Sequence, residues 1–155
     1  MRKLSSIFFA LVLALVMVGC DSDSNDDELT DAEIFVGDWV VTGISDDTGD
    51  KTAAFGALVE SLNVTFTDAA TFLLMLNYRD DAGIDDLNLP GTYTLNADIN
   101  SLILSIGGGP SPPFTYEIEN EDAITLHVAA AFINGLFNPT TPYEGTVTIV
   151  VVRLD

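Results

Sequence analysis

The stretch SLNVTFTDAATFLLMLNY, residues 61–78, decides the fold. Leu62, Val64 and Phe66 alternate with Ser61, Asn63, Thr65 and Thr67, the period-two pattern of a strand with one face on a core and the other in water. Asp68-Ala69-Ala70 reads as a turn. Beyond it, Phe72, Leu74, Leu76 and Tyr78 alternate with Leu73, Met75 and Asn77, so this second strand is apolar on one face and partly apolar on the other. Its outer side is therefore expected to be covered. Two such runs across a short turn predict an antiparallel hairpin.

The same period recurs on both sides of the hairpin. Trp39 and Val41 share a face of a first strand that ends near the turn cluster Asp46-Asp47-Thr48-Gly49-Asp50. Lys51 to Glu60, Ala-rich, predicts a short helix, weakened by Gly56. Downstream, Asp80 to Pro90 reads as an acidic loop. Gly91 to Leu95 and Leu102 to Ile106 then form a hairpin across Asn96-Ala97-Asp98. After the turn chemistry of Gly107 to Pro113 come Phe114, Tyr116 and Ile118, then Ile124, Leu126 and Val128. The last strand, Gly145 to Leu154, places Val147, Ile149, Val151 and Arg153 on one face. The expectation is an all-β fold of eight strands paired neighbour to neighbour. An open meander would leave two exposed edges, whereas pairing the last strand with the first removes both. Closure gives an eight-stranded antiparallel up-and-down β-barrel with short helical inserts, and sets Arg153 beside Trp39.

Ahead of the barrel the period is different. Arg2 and Lys3 precede an uncharged apolar run from Ile7 to Val18, too short for the ~20 residues of a membrane span and suited to a signal-peptide core. The run ends in Val16-Met17-Val18-Gly19-Cys20, which resembles a bacterial lipobox. That resemblance implies a signal peptide over 1–19, lipid attachment at Cys20, and a bacterial envelope protein held to a membrane, the outer membrane expected, on its periplasmic or its surface side. Cys20 is the single cysteine, so the folded part is expected to have no disulfide and no thiol nucleophile. Residues 20–32 read as an acidic tether and 33–155 as one domain. The tether opens with an Asp21, Asp23, Asn25 spacing, but Asp26 and Ala32 stand where a calcium loop needs Gly and Glu.

The chain holds 24 Asp+Glu against 5 Lys+Arg. With Arg2 and Lys3 in the leader, only Lys51, Arg79 and Arg153 remain as bases. Such a charge repels phosphate backbones, so no nucleic-acid partner is expected. The partner expected is the membrane, reached through the lipidated Cys20.

Gly37-Asp38-Trp39, matching a G-x-W signature on strand one, and Arg153 on the last strand are together similar to the lipocalin-like (calycin) families. Gly91-Thr92-Tyr93-Thr94-Leu95 also resembles a strand of bacterial lipocalin-like lipoproteins. The resemblance implies that Arg153 packs over Trp39 to close one end of the barrel, and that a small hydrophobic ligand is a candidate partner. An eight-stranded barrel is either filled by its side chains or has room for one small ligand. Both readings stand on the sequence: a carrier, or an envelope protein whose filled barrel is a scaffold for contacts made by loops. Candidate ligand-binding residues are Phe66, Phe72, Leu76, Tyr93, Tyr116, Phe132 and Phe137, with tyrosine hydroxyls as the polar handles. Ala129 to Tyr143 is unusually apolar for a connection, and predicts a lid over the mouth, a partner patch, or a helix on the outer face of strand three.

No catalytic residues are expected. His127, the single histidine, faces away from Ile124 and Leu126, where it could not serve a nucleophile. No metal cluster, phosphate loop or cofactor motif is present in the sequence, and the pairs Asp80/Asp81 and Asp85/Asp86 read as a hydrated loop.

Overall fold

The computed structural model describes residues 29–139 and 141–154; the expected signal peptide, Cys20 and most of the expected tether lie outside the described residues. Eight strands carry the fold: β1 (Gly37–Asp46), β2 (Val59–Phe66), β3 (Thr71–Tyr78), β4 (Leu87–Asn96), β5 (Ser101–Ile106), β6 (Phe114–Asn120), β7 (Ala123–Ala129) and β8 (Thr146–Arg153). Each pairs antiparallel with its neighbour in sequence, and β8 returns to pair with β1, so the sheet closes into a barrel. Two further strands, Gly49–Asp50 and Gly109–Pro110, only extend turns.

Hydrophobic alternation sets the register. In the β2–β3 hairpin, Phe66 pairs with Phe72, Val64 with Leu74 and Leu62 with Leu76, and all six turn inward as expected. Trp39 pairs with Arg153 and Val41 with Val151 across the closing seam. A bulge between Val41 and Gly43 then shifts the parity of β1, so that Ile44 and Asp46 become the buried positions. The seam between β5 and β6 is the thinnest, with only Ser101–Thr115 and Leu102–Phe114 paired.

Up-and-down order sorts the connections by end. Thr67–Ala70, Ala97–Asn100 and Glu121–Asp122 are tight and lie at one end with the entry to β1 and the exit from β8. The other end gathers the long connections: the one carrying helix α2 (Thr52–Leu58), the Asp80–Asp86 loop, the Gly107–Pro113 segment, and the one carrying helix α3 (Ala130–Phe137). Helix α1 (Asp31–Phe35) precedes β1 and covers the first end.

Three expectations change. Thr30 and Glu33 form a capping box, each side chain accepting from the other's backbone amide, which starts α1 inside the stretch 20–32 expected to be tether. Strand β4 begins at Leu87, because Leu87 and Leu89 continue the ladder with Leu76 and Leu74 inside the expected 80–90 loop. The third change concerns residues 129–143: they contain a helix, but it packs on the ends of β7 and β8 and reaches into the mouth, so the alternative on the outer face of β3 does not hold.

Candidate functional site

The first end is locked by one constellation. The Trp39 indole has no exposed surface, and its Nε1 donates to the Phe35 carbonyl at 2.9 Å. The Arg153 guanidinium lies 4.6 Å from the centre of the Trp39 rings. Its Nη1 donates to the Val36 carbonyl (2.9 Å), its Nη2 to the Ile34 carbonyl (2.6 Å) and its Nε to the Glu121 carbonyl (3.0 Å). On the Ile34 and Val36 carbonyls the cation satisfies acceptors that the end of α1 leaves open, and on Glu121 it reaches the β6–β7 turn. The Trp39–Arg153 pair therefore closes the barrel and also fastens α1 beneath it. Gly37, at φ +142°, is required here, since a Cβ would lie 2.4 Å from Arg153 Nη1.

Phe35 enters the barrel base edge-on to Phe66 and Tyr116. The Tyr116 hydroxyl donates to the Asp31 carboxylate, and burial, followed by that carboxylate, pushes the phenol well above its ordinary range. The Tyr93 hydroxyl donates to the Thr67 carbonyl at 2.8 Å. Both expected polar handles are thus spent on the fold, at the end away from the mouth.

The interior is nearly full. A cavity of about 60 Å3 remains, lined only by apolar side chains, among them Leu62, Phe66, Leu104, Phe114, Phe132 and Leu136. Of the seven candidate ligand-binding residues, Phe66 and Phe132 touch this cavity. Phe72, Leu76, Tyr93 and Tyr116 are core. Phe137 lies outside it, in a surface cleft. Leu102, Leu136 and Val151 also line the cavity and are not among the seven candidates, although the alternation around Leu104 and Ile149 places Leu102 and Val151 on the inner face.

At the mouth, Phe132 meets Phe114 edge-on at 5.7 Å, and Ile133 is buried. Asn134 holds the returning chain by two hydrogen bonds with the Tyr143 backbone, at 2.9 and 2.8 Å. Asp46, with no exposed side-chain surface, anchors the same return. Burial alone would raise its pKa; bonds from the Thr48 hydroxyl, the Glu144 amide and the Thr48 amide, with Lys51 at 3.7 Å, outweigh it and hold the carboxyl at about 2. Gly145, at φ +64°, lets Asp47 close over the same turn.

Between α2 and the return from α3 lies a cleft of about 340 Å3, walled by Phe55, Leu58, Tyr78, Phe137 and Tyr143 with Lys51 beside them. Burial raises the pKa of both tyrosines, with Asp46 adding to the effect at Tyr143. Neither hydroxyl has a hydrogen-bond partner among the described residues.

His127 is half-buried on the outside of β7, 3.0 Å from the Thr148 hydroxyl and 3.8 Å from Glu117. Asp86 accepts from the Tyr78 amide at 2.9 Å. Among the described residues no three His, Cys, Asp or Glu side chains converge as metal ligands.

No family model matches this chain, and no curated protein matches it. Among solved structures it is similar to the crystal structure of a DUF4847 family protein from Bacteroides vulgatus, with 12% identity and a TM-score of 0.45, over 79% of this chain and 96% of that one.

Proposed function

We propose that this chain is a lipid-anchored protein of a bacterial envelope in which the barrel is a side-chain-filled scaffold and the work is done at the end carrying α2 and α3. The observation behind this reading is the interior volume. Ligand sites usually measure about 300–1,000 Å3, whereas the lumen here leaves about 60 Å3. As packed, a void of that size is too small for a drug-sized ligand, and its apolar lining offers such a ligand no polar contact.

A second reading, a carrier of a small apolar molecule, draws on α3. Phe132, Ile133 and Leu136 stand where a ligand's apolar body would lie, and the helix starts at Ala129 without a side-chain cap. Displacing α3 would enlarge the lumen. Native mass spectrometry of the protein released from its own membranes separates the two. The scaffold reading expects the mass of the acylated chain alone, and a stoichiometric extra mass of an apolar compound overturns it. The anchor has its own test: Cys20→Ala is expected to move the protein from the detergent phase to the aqueous phase, and unchanged partitioning rejects lipidation at that thiol.

A further inference from the structure

Among the described residues the α2–α3 end has a concavity that is large enough for a small molecule and mainly apolar, and it lies outside the lumen. Its volume of about 340 Å3 falls at the lower edge of the usual ligand-site range. Phe55 and Phe137 line it, are partly buried, and pack against both buried clusters, so this wall is continuous with the core. The polar atoms are few: the Tyr78 and Tyr143 hydroxyls, which differ from those of Tyr93 and Tyr116 in having no hydrogen-bond partner among the described residues, and the Lys51 ammonium, whose contact with Asp46 at 3.7 Å leaves donors over. Charge narrows the class of occupant from both sides. An anion would be opposed by a chain with 24 acids to 5 bases. A cation would meet Lys51 on the wall.

We propose that the cleft between α2 and the return from α3 binds an uncharged, largely apolar molecule bearing a carbonyl or hydroxyl oxygen, with the apolar body against Phe55, Leu58 and Phe137 and the oxygen accepting from Tyr78, Tyr143 or Lys51. This rests on the filled-barrel reading, since it puts the ligand outside the lumen.

Prodan, an uncharged naphthyl ketone whose emission shifts to the blue in apolar sites, is the probe. It is titrated into the chain from Asp21 to Asp155, which carries the whole described barrel. Saturable, blue-shifted binding is expected. Ala57→Trp, an exposed position on the cleft wall, is expected to weaken it at least tenfold. Tyr78→Phe combined with Tyr143→Phe is expected to weaken it several-fold with unchanged melting temperature. Phe132→Ala, which alters only the lumen side, should leave it within twofold. Absence of saturable binding overturns the cleft proposal and leaves the filled barrel standing. Binding that ignores Ala57→Trp but responds to Phe132→Ala puts the probe in the lumen and overturns both.

Discussion

The two ends of this barrel are built by opposite rules. At the α1 end, turns are tight, the Tyr116 and Tyr93 hydroxyls are bonded, and Arg153 alone serves three carbonyls and an indole face. At the α2–α3 end, connections are long, neither N-cap residue, Lys51 or Ala129, caps its helix with its side chain, and the Tyr78 and Tyr143 hydroxyls have no hydrogen-bond partner among the described residues. Closing a cylinder requires one seam to be pinned, and here the pin is concentrated where chain entry and exit meet. The far end is held by weaker, local fastenings such as the Asp46 latch and carries irregular, apolar structure.

Breaking the pinned end should have the largest effect. Trp39→Ala removes an indole with no exposed surface and is expected to cost about 3–5 kcal/mol, read as a drop in the urea midpoint. A loss under about 1 kcal/mol would mean that the pin lies elsewhere. Arg153→Ala follows at about 2 kcal/mol, from lost charged hydrogen bonds and cation–π contact; in hydrogen exchange, α1 amides should lose protection before those of β7.

The latch at the mouth should be weaker and pH-dependent. The Asp46 carboxyl titrates at about 2 in the fold, below the ordinary ~3.9 of an unfolded aspartate. Because the folded value is the lower one, its contribution is fully present above pH ~4 and is lost as pH falls toward 2. Wild type should therefore lose more melting temperature between pH 5 and pH 2 than Asp46→Asn, and equal losses would deny the latch. The smallest effect is a gain. Gly56 sits mid-helix in α2 with open space where a Cβ would go, so Gly56→Ala should stabilise by about 0.5–1 kcal/mol in thermal melts and leave the pinned end untouched.

Much of this was legible from residues alone, for identifiable reasons. Strand alternation survives in Leu62–Tyr78 because one face of each strand must be buried, and the odd positions of Trp39 and Arg153 carry through to their pairing. What stayed hidden has causes too. The Thr30-x-x-Glu33 box was a visible helix start, but it lies in acidic sequence that otherwise resembles a tether. The β1 bulge leaves no mark in composition, so the burial of Asp46 at the end of a turn cluster could not be read. The cleft joins Phe55 and Tyr143 from two connections to Tyr78 at the end of β3, and only the shared end of an up-and-down barrel brings them together.

The sparse β5–β6 seam bears on how the polypeptide could be rewired. Leu154 donates its amide to the Asp38 carbonyl at 2.8 Å, so both described ends of the chain meet at one pole. A short linker could splice them, and new termini could be opened in the Gly107–Pro113 bend, where few ladder bonds cross and the backbone is largely exposed. In such a circular permutant the strong Trp39–Arg153 join becomes the middle of the molecule and the frailest stitch becomes its boundary.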